Sequence, residues 1–250
     1  MKKTRKERNL FIAGVIIAMT FGPVAVSSGM HIMEGYLPLG YALFWGAICV
    51  PFFVLGLYSI RKTMMKHRKT LLIFVMMGAY VFALSSLKIP SVTGSSSHPT
   101  GTGLGAILFG PTAMCVIGVI VLLFQALLLA HGGLTTLGAN TFSMAIAGPF
   151  IAFGVFFISK KLKLPKSVGV FLAACLADLG TYCVTAVQLA MAHPSDTGGF
   201  TASLLEFLTI FAVTQVPLAI IEGLIAVVVM KALESYASSE LSELDYIREV

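Results

Sequence analysis

The sequence predicts an all-α protein, a polytopic bundle of about seven helices that cross a membrane. Hydrophobic residues make up 57% of the 250 positions and charged residues only 11%, a composition that soluble domains do not carry. Six apolar runs are long enough to cross a bilayer, which takes about 20 residues as a helix. Lys and Arg cluster in two connectors and are missing from two others, which is typical of a polytopic membrane protein.

The apolar runs and their connectors give a first topology. The runs are Leu39–Ile60, Thr70–Leu87, Thr112–Ala130, Thr141–Ser159, Ser167–Ala190 and Ser203–Met230. Connector 61–69 contains five Lys or Arg and connector 160–166 contains four, whereas connectors 131–140 and 191–202 contain none. Because cytoplasmic loops are enriched in Lys and Arg, the first pair is predicted inside and the second pair outside.

A seventh crossing follows from the connectors. Between the two cytoplasmic connectors the number of crossings must be even, yet only three long runs lie there. The glycine-rich stretch 101–110, closed by Gly110-Pro111, is the candidate for the fourth, since Gly-Pro is a turn signal. Such a short segment must be surrounded by protein, because lipid cannot satisfy irregular backbone. We therefore expect seven crossings, with the amino terminus outside and the carboxyl terminus inside. A re-entrant loop with a broken charge rule elsewhere is the alternative.

The first 29 residues are typical of a secretory signal peptide. Five Lys or Arg precede the apolar run 10–22, and Ser27-Ser28-Gly29 offers small residues for cleavage. An uncleaved signal anchor is the alternative. The chain then divides into a signal peptide (1–29), a transmembrane domain (30–230) and a cytoplasmic tail (231–250). Without the signal the net charge falls to +2, from 12 Lys or Arg against 10 Asp or Glu, so nucleic-acid binding is not predicted.

Cleavage after Gly29 would create a metal-chelating amino terminus. The Met30 amine, the His31 amide and the His31 ring nitrogen Nδ1 can close a five-membered and a six-membered chelate ring on one ion. His98, in the polar stretch 91–103 on the same predicted face, can supply a fourth nitrogen. A square plane of nitrogens suits Ni²⁺, Cu²⁺ and low-spin Co²⁺, and binding should weaken in acid because the amine must lose its proton. The alternative for His98 is a loop histidine bonded to its own serines.

Other polar residues have two possible roles each. Glu34 can accept a hydrogen bond from the distal ring nitrogen of His31, or it can anchor the turn before Pro38. The polar residues around the outward connector can line the ion's path or pin the amino-terminal segment. Glu222, an acid in the last spanning run, is a candidate for contact with partner subunits or for pairing inside the bundle. The remaining candidates for support of the site are Ser97, Gln125, His131 and Asn140.

Several motifs resemble one transporter family. The stretch MHIMEGYLP at 30–38 resembles the mature start of CbiM, the substrate-binding membrane component of energy-coupling-factor cobalt transporters. The resemblance continues through SSSHPTGTGLGAILFGP (95–111), FQALLLAHGGLTTLGANTFSMAIAGPF (124–150), ADLGTYCVTAVQLA (177–190) and PLAIIEG (217–223). It covers essentially the whole mature chain, and the first three motifs together are highly specific.

The resemblance implies a role in uptake at the bacterial cell membrane. Met30, His31 and His98 would be the ligands of Co²⁺, the transported substrate, with Ni²⁺ as the alternative and no organic cofactor. Energy would come from separate ATPase subunits (CbiO-like) through a transmembrane coupling subunit (CbiQ-like), with a small auxiliary subunit (CbiN-like). The uptake would feed cobalamin biosynthesis. Ala79 and Ala83 form a small-x-x-x-small pair that related components use to dock the coupling subunit.

Other function classes agree less well with the sequence. The chain has no G-x-x-x-x-G-K-[ST] motif, so it is not predicted to hydrolyse ATP itself, and no H-E-x-x-H motif, so a metalloenzyme is not predicted. A stand-alone divalent-metal carrier should show a continuous path of intramembrane carboxylates, and the carboxylates here are scattered. The four cysteines lie in apolar stretches without C-x-x-C spacing and are predicted to be core residues.

Overall fold

The computed structural model describes residues 31–66, 69–87, 89–90 and 96–244. The predicted signal segment and Met30 lie outside the described residues. The described chain is mostly helical, and five of its helices are long and apolar enough to cross a membrane. The all-α, multi-pass class predicted from composition is therefore confirmed.

Eight helices and one very short sheet make up the described fold. The helices are α1 (Leu39–Lys66), α2 (Thr70–Ser86), α3 (Thr102–Phe109), α4 (Pro111–Leu128), α5 (Leu137–Lys161), α6 (Lys166–Ala192), α7 (Gly199–Tyr236) and α8 (Ser238–Ser242). Strands β1 (Ile89–Pro90) and β2 (Ser96–Ser97) pair antiparallel between α2 and α3. The five long apolar helices are α1, α4, α5, α6 and α7, and α2 is a shorter apolar helix of 17 residues.

Helix α3 occupies the stretch 101–110 in which the sequence predicted a hidden helical segment. Its eight residues are all buried, and at 1.5 Å per residue it is only about 12 Å long. Gly101 and Gly110 have positive φ values of 69° and 83°, which glycine adopts without steric cost. A Cβ on Gly103 would lie 3.0 Å from the Cα of Ala174, so glycine lets α3 pack directly on α6. Protein surrounds this short helix on its sides, as the prediction requires.

Several long helices extend beyond their predicted apolar runs, and α1, α5 and α7 do so by four residues or more at one end. Helix α5 begins at Leu137, four residues before the predicted start, and residues Thr141–Ala147 form a π-helical turn inside it. Helix α7 continues to Tyr236, past the predicted end at Met230. Apolar runs mark only the part of a helix that lipid or core surrounds, so polar end turns are missed. The early start of α5 places Asn140 on an ordered helix.

Two large packed regions and a small cluster of Cys49, Cys115 and Ile146 make up the interior of the described chain. The larger core lies around α3 and is built from residues of α2 to α8, with Leu104, Ile107 and Met114 fully buried. The smaller core contains Ile32 and Phe211 among its buried members. It joins the segment before α1 to α1, α5, α6 and α7. The amino-terminal segment is therefore part of the packed bundle.

Candidate metal centre

The segment 31–38 is held against the bundle through the main chain of Ile32. The Asn140 side chain both receives and donates: Ile32 N–H donates to its Oδ1 at 2.9 Å, and its Nδ2 donates to the Ile32 carbonyl at 3.0 Å. The Thr136 hydroxyl donates to the same carbonyl at 2.7 Å. All three residues are buried, so these bonds satisfy polar groups that water does not reach. They fix the residue that follows His31.

Three more contacts hold the segment at residues 34 to 36. Gly35 N–H donates to the Thr135 hydroxyl at 3.1 Å, and Thr135 N–H donates to the Glu34 carboxylate at 3.2 and 3.3 Å. His193 Nε2 donates to the Tyr36 carbonyl at 2.9 Å. Glu34 is exposed, and hydrogen bonds from the side chain and backbone of Thr135 lower its pKa. These contacts agree with the anchoring role for Glu34, one of the two alternatives.

Glycines in connector 131–136 allow the segment to approach closely. A Cβ on Gly133 would lie 2.5 Å from the Glu34 Cα and 2.7 Å from its backbone nitrogen. Gly132 has a φ of 73°, and its Cβ position would contact the Asn140 side chain at 3.1 Å and the His31 ring at 3.6 Å. Side chains at these two positions would separate the connector from the segment.

His98 lies in the buried stretch 97–100, immediately before α3. Its Nδ1 contacts the Pro99 carbonyl at 2.8 Å. Since a carbonyl only accepts, Nδ1 carries the proton in this bond and Nε2 keeps the lone pair that a metal ion requires. One residue earlier, the Ser97 hydroxyl lies 2.9 Å from the hydroxyl of Thr214 on α7.

The residues after His98 are tied to a buried acid on α7. The Thr100 hydroxyl donates to Glu222 at 2.9 Å, Gly101 N–H donates to the same carboxylate at 2.9 Å, and Thr100 N–H donates at 2.5 Å. Glu222 is 1% exposed, and the equally buried Asp178 on α6 lies against it. Of the two roles considered for Glu222, these buried hydrogen bonds agree with pairing inside the bundle.

Three buried imidazoles converge where these elements meet. The ring centroids lie 4.8 Å apart for His31 and His98, 4.6 Å for His31 and His131, and 4.8 Å for His98 and His131. One ligand nitrogen from each lies within 4.8 Å of the others, and the side chains are 0–2% exposed. Neutral imidazole nitrogens are ligands for late first-row transition metals. Met30, the other predicted ligand residue, is outside the described residues.

The remaining predicted positions fall in two places. Gln125 on α4 is buried, and its backbone carbonyl accepts a hydrogen bond from His131 N–H at 3.1 Å. Ala79 and Ala83 both lie on the exposed face of α2. The sequence did not indicate roles for His193, Thr136 or Thr100. Their partners are more than 100 positions away in the chain, and no local pattern marks such contacts.

In this polytopic helical bundle, three buried imidazoles lie together next to a tethered amino-terminal segment. This arrangement indicates a membrane protein that handles a transition-metal ion. Comparison with known proteins agrees. The family model described as "Cobalt uptake substrate-specific transmembrane region", CbiM, matches residues 31–240. The chain belongs to this CbiM family and is a multi-pass membrane component of cobalt uptake.

Individual relatives extend over nearly the whole chain. The cobalt transport protein CbiM of Lachnoclostridium phytofermentans is 58% identical over 243 residues, which cover 97% of each chain. That of Ruminiclostridium cellulolyticum is 53% identical and covers 99% of this chain and all of its own. The crystal structure of a truncated transition-metal transporter has a TM-score of 0.72 at 25% identity, with coverage of 82% of this chain and 99% of its own.

Proposed function

We propose that this protein is the substrate-specificity subunit of an energy-coupling-factor importer and captures Co²⁺ at the outer side of the membrane. The convergence of His31 and His98, two buried imidazoles 67 positions apart in the chain, is the observation that carries this proposal. Membership of the cobalt-uptake family supports cobalt as the substrate. Ni²⁺ is the alternative substrate, because the same nitrogen donors accept both ions.

The proposed site combines a processed terminus with two histidines. After removal of residues 1–29, the Met30 amine, the His31 amide and the His31 Nδ1 take three corners of a square plane. His98 Nε2 takes the fourth corner, in agreement with the Nδ1 contact to Pro99. The bonds from Asn140 and Thr136 to Ile32 hold the next residue in place. The two ligand-bearing stretches are thus preorganised by buried hydrogen bonds.

The proposed topology has seven crossings, with the mature amino terminus outside and the carboxyl terminus inside. The segments would be α1 to α7, with the short α3 enclosed by its neighbours. This arrangement places connectors 61–69 and 160–166 in the cytoplasm, in agreement with their Lys and Arg content. It also places the connectors that tether the segment 31–38 on the outside.

The proposed partners supply the energy. ATPase subunits of the CbiO type would act through a coupling subunit of the CbiQ type, with a CbiN-like auxiliary subunit, and the imported ion would serve cobalamin biosynthesis. Ala79 and Ala83 are exposed on α2 and would let a partner helix approach closely. Uptake in cells should therefore depend on co-expression of the ATPase subunits.

Metal binding by the purified protein tests this proposal. Native mass spectrometry of the protein from bacterial membranes, supplied with trace cobalt and nickel, should give a mass that begins at Met30 plus one ion. His31→Ala and His98→Ala should each abolish high-affinity binding, whereas His67→Ala, in the basic connector 61–69, should keep it. Unchanged affinity in either of the first two variants would refute the proposed coordination.

A further inference from the structure

His131 is the third member of the imidazole cluster, and the square-planar site leaves it without a role. Its ring lies as close to His31 and His98 as those two lie to each other, with centroid distances of 4.6, 4.8 and 4.8 Å. It is 2% exposed. His131 therefore belongs to the same buried cluster as the two proposed ligand histidines.

The backbone around His131 is shaped to direct its ring inward. Ala130 has a φ of 47° and Gly132 a φ of 73°. The left-handed region is uncommon for a residue other than glycine and costs about 1 kcal/mol. His131 N–H donates to the Gln125 carbonyl at the end of α4. One residue with positive φ on each side of His131 turns the chain sharply at this histidine, whose ring lies against the other two.

The three rings have nearly equal centroid separations, and one ligand nitrogen of each lies within 4.8 Å of the others, so the three can reach neighbouring coordination positions on one ion. In a square plane that already holds the Met30 amine and the His31 amide, the His31 ring and His98 occupy adjacent corners. All four corners are then filled. A third imidazole that bound the same ion would therefore lie above or below the plane.

We propose that His131 supplies a fifth, axial nitrogen to the bound ion and thereby favours Co²⁺ over Ni²⁺. This proposal rests on the proposed function, because it presupposes the plane formed by Met30, His31 and His98. Low-spin Co²⁺ has a single electron in the orbital that points along the axis and accepts a donor there. Low-spin Ni²⁺ has that orbital filled and repels one, so an axial imidazole discriminates between two ions that bind the same plane.

Electron paramagnetic resonance of the cobalt-loaded protein under argon tests the axial bond directly. The unpaired electron of low-spin Co²⁺ couples to an axial ¹⁴N nucleus and splits the parallel lines into triplets. Protein that contains ¹⁵N-histidine should give doublets instead, which identifies the axial donor as a histidine. His131→Ala and His131→Gln should bind cobalt without this splitting, whereas His67→Ala should keep it.

Metal competition gives the second readout. The ratio of cobalt to nickel affinity should fall about tenfold or more in His131→Ala, equivalent to about 1.4 kcal/mol. With Cu²⁺, whose unpaired electron lies in the plane, the splitting from the in-plane nitrogens should be the same in the wild type and in His131→Ala.

The outcomes separate this proposal from the proposed function. A wild-type protein that binds no cobalt would overturn the proposed function. Cobalt bound in the plane without axial splitting, or splitting that persists in His131→Ala, would overturn the axial role alone. A high-spin tetrahedral spectrum would also overturn it, because the three imidazoles would then bind without the deprotonated amide.

Discussion

Replacement of Gly133 by alanine should damage metal binding without touching a ligand. The Cβ position at Gly133 lies 2.5 Å from the Glu34 Cα, and an ordinary contact begins at 3.4 Å. The connector and the segment 31–38 must therefore separate by about 0.9 Å. The segment on one side of this contact contains His31, and the connector on the other side contains His131; both histidines belong to the cluster.

The expected loss follows from the tolerance of metal coordination. Metal–ligand distances vary by only about 0.2 Å around their ideal values, so a displacement of about 0.9 Å cannot be absorbed at the ion. We expect the affinity for cobalt to fall about 100-fold, equivalent to about 2.8 kcal/mol. Removing the Glu34 side chain in Gly133→Ala/Glu34→Ala should not restore binding, because the closest remaining atoms belong to the backbone.

Isothermal titration of the purified protein with cobalt measures this loss. The matched control is Gly154→Ala on α5, where a Cβ meets nothing within 4 Å; it should keep wild-type affinity. Thermal unfolding of both metal-free variants separates a local displacement from a general loss of stability. Wild-type affinity in Gly133→Ala would refute the close packing on which this reasoning depends.

Three further predictions concern the tethers. Asn140→Ala leaves the buried Ile32 amide without its acceptor, and an unsatisfied buried donor costs about 1–3 kcal/mol of free energy. Cobalt affinity should therefore fall roughly 10- to 100-fold. Ser143→Ala, one turn later, should bind cobalt normally in the same titration. Glu222→Gln replaces one of the two oxygens that accept bonds from Thr100 and Gly101 with a donating NH₂ group, so affinity should fall about tenfold. Unchanged affinity would show that these bonds do not act on the site. The hydrogen bonds from Thr135 lower the pKa of Glu34, so its carboxylate is ionised and bonded at neutral pH, and these bonds weaken only as the pH falls through that lowered pKa. The amide resonance of Thr135 should report this titration. A midpoint at or above the ordinary glutamate pKa would contradict the prediction.

The helical architecture was largely predictable from the sequence. Apolar length located the long helices, and the Lys and Arg content of connectors 61–69 and 160–166 indicated an additional segment at 101–110, where α3 lies. The helix ends at Leu137 and Tyr236 were not predictable from apolar length, because polar end turns resemble connectors in composition.

The site was predictable only in part. Covalent spacing at residues 30 and 31 suggested chelation, and the structure brings His31 and His98 together. The equal closeness of His131 depends on the backbone turn at Ala130 and Gly132, which composition does not indicate. The bond from His193 to Tyr36 and the pairing of Thr100 with Glu222 depend on tertiary packing across more than 100 positions.

The tethering of the segment 31–38 has a kinetic consequence. Its hydrogen bonds go to the connector 131–136, to Asn140 at the start of α5 and to His193 after α6. When this segment lifts, the proposed donors of residues 30 and 31 leave the ion together, because they belong to one continuous piece of chain. The residence time of the ion would then be set by how often these tethers open as a unit, and not by the breaking of single metal–nitrogen bonds. Movement of the two connectors alone would therefore be enough to increase the rate at which a tightly bound ion dissociates.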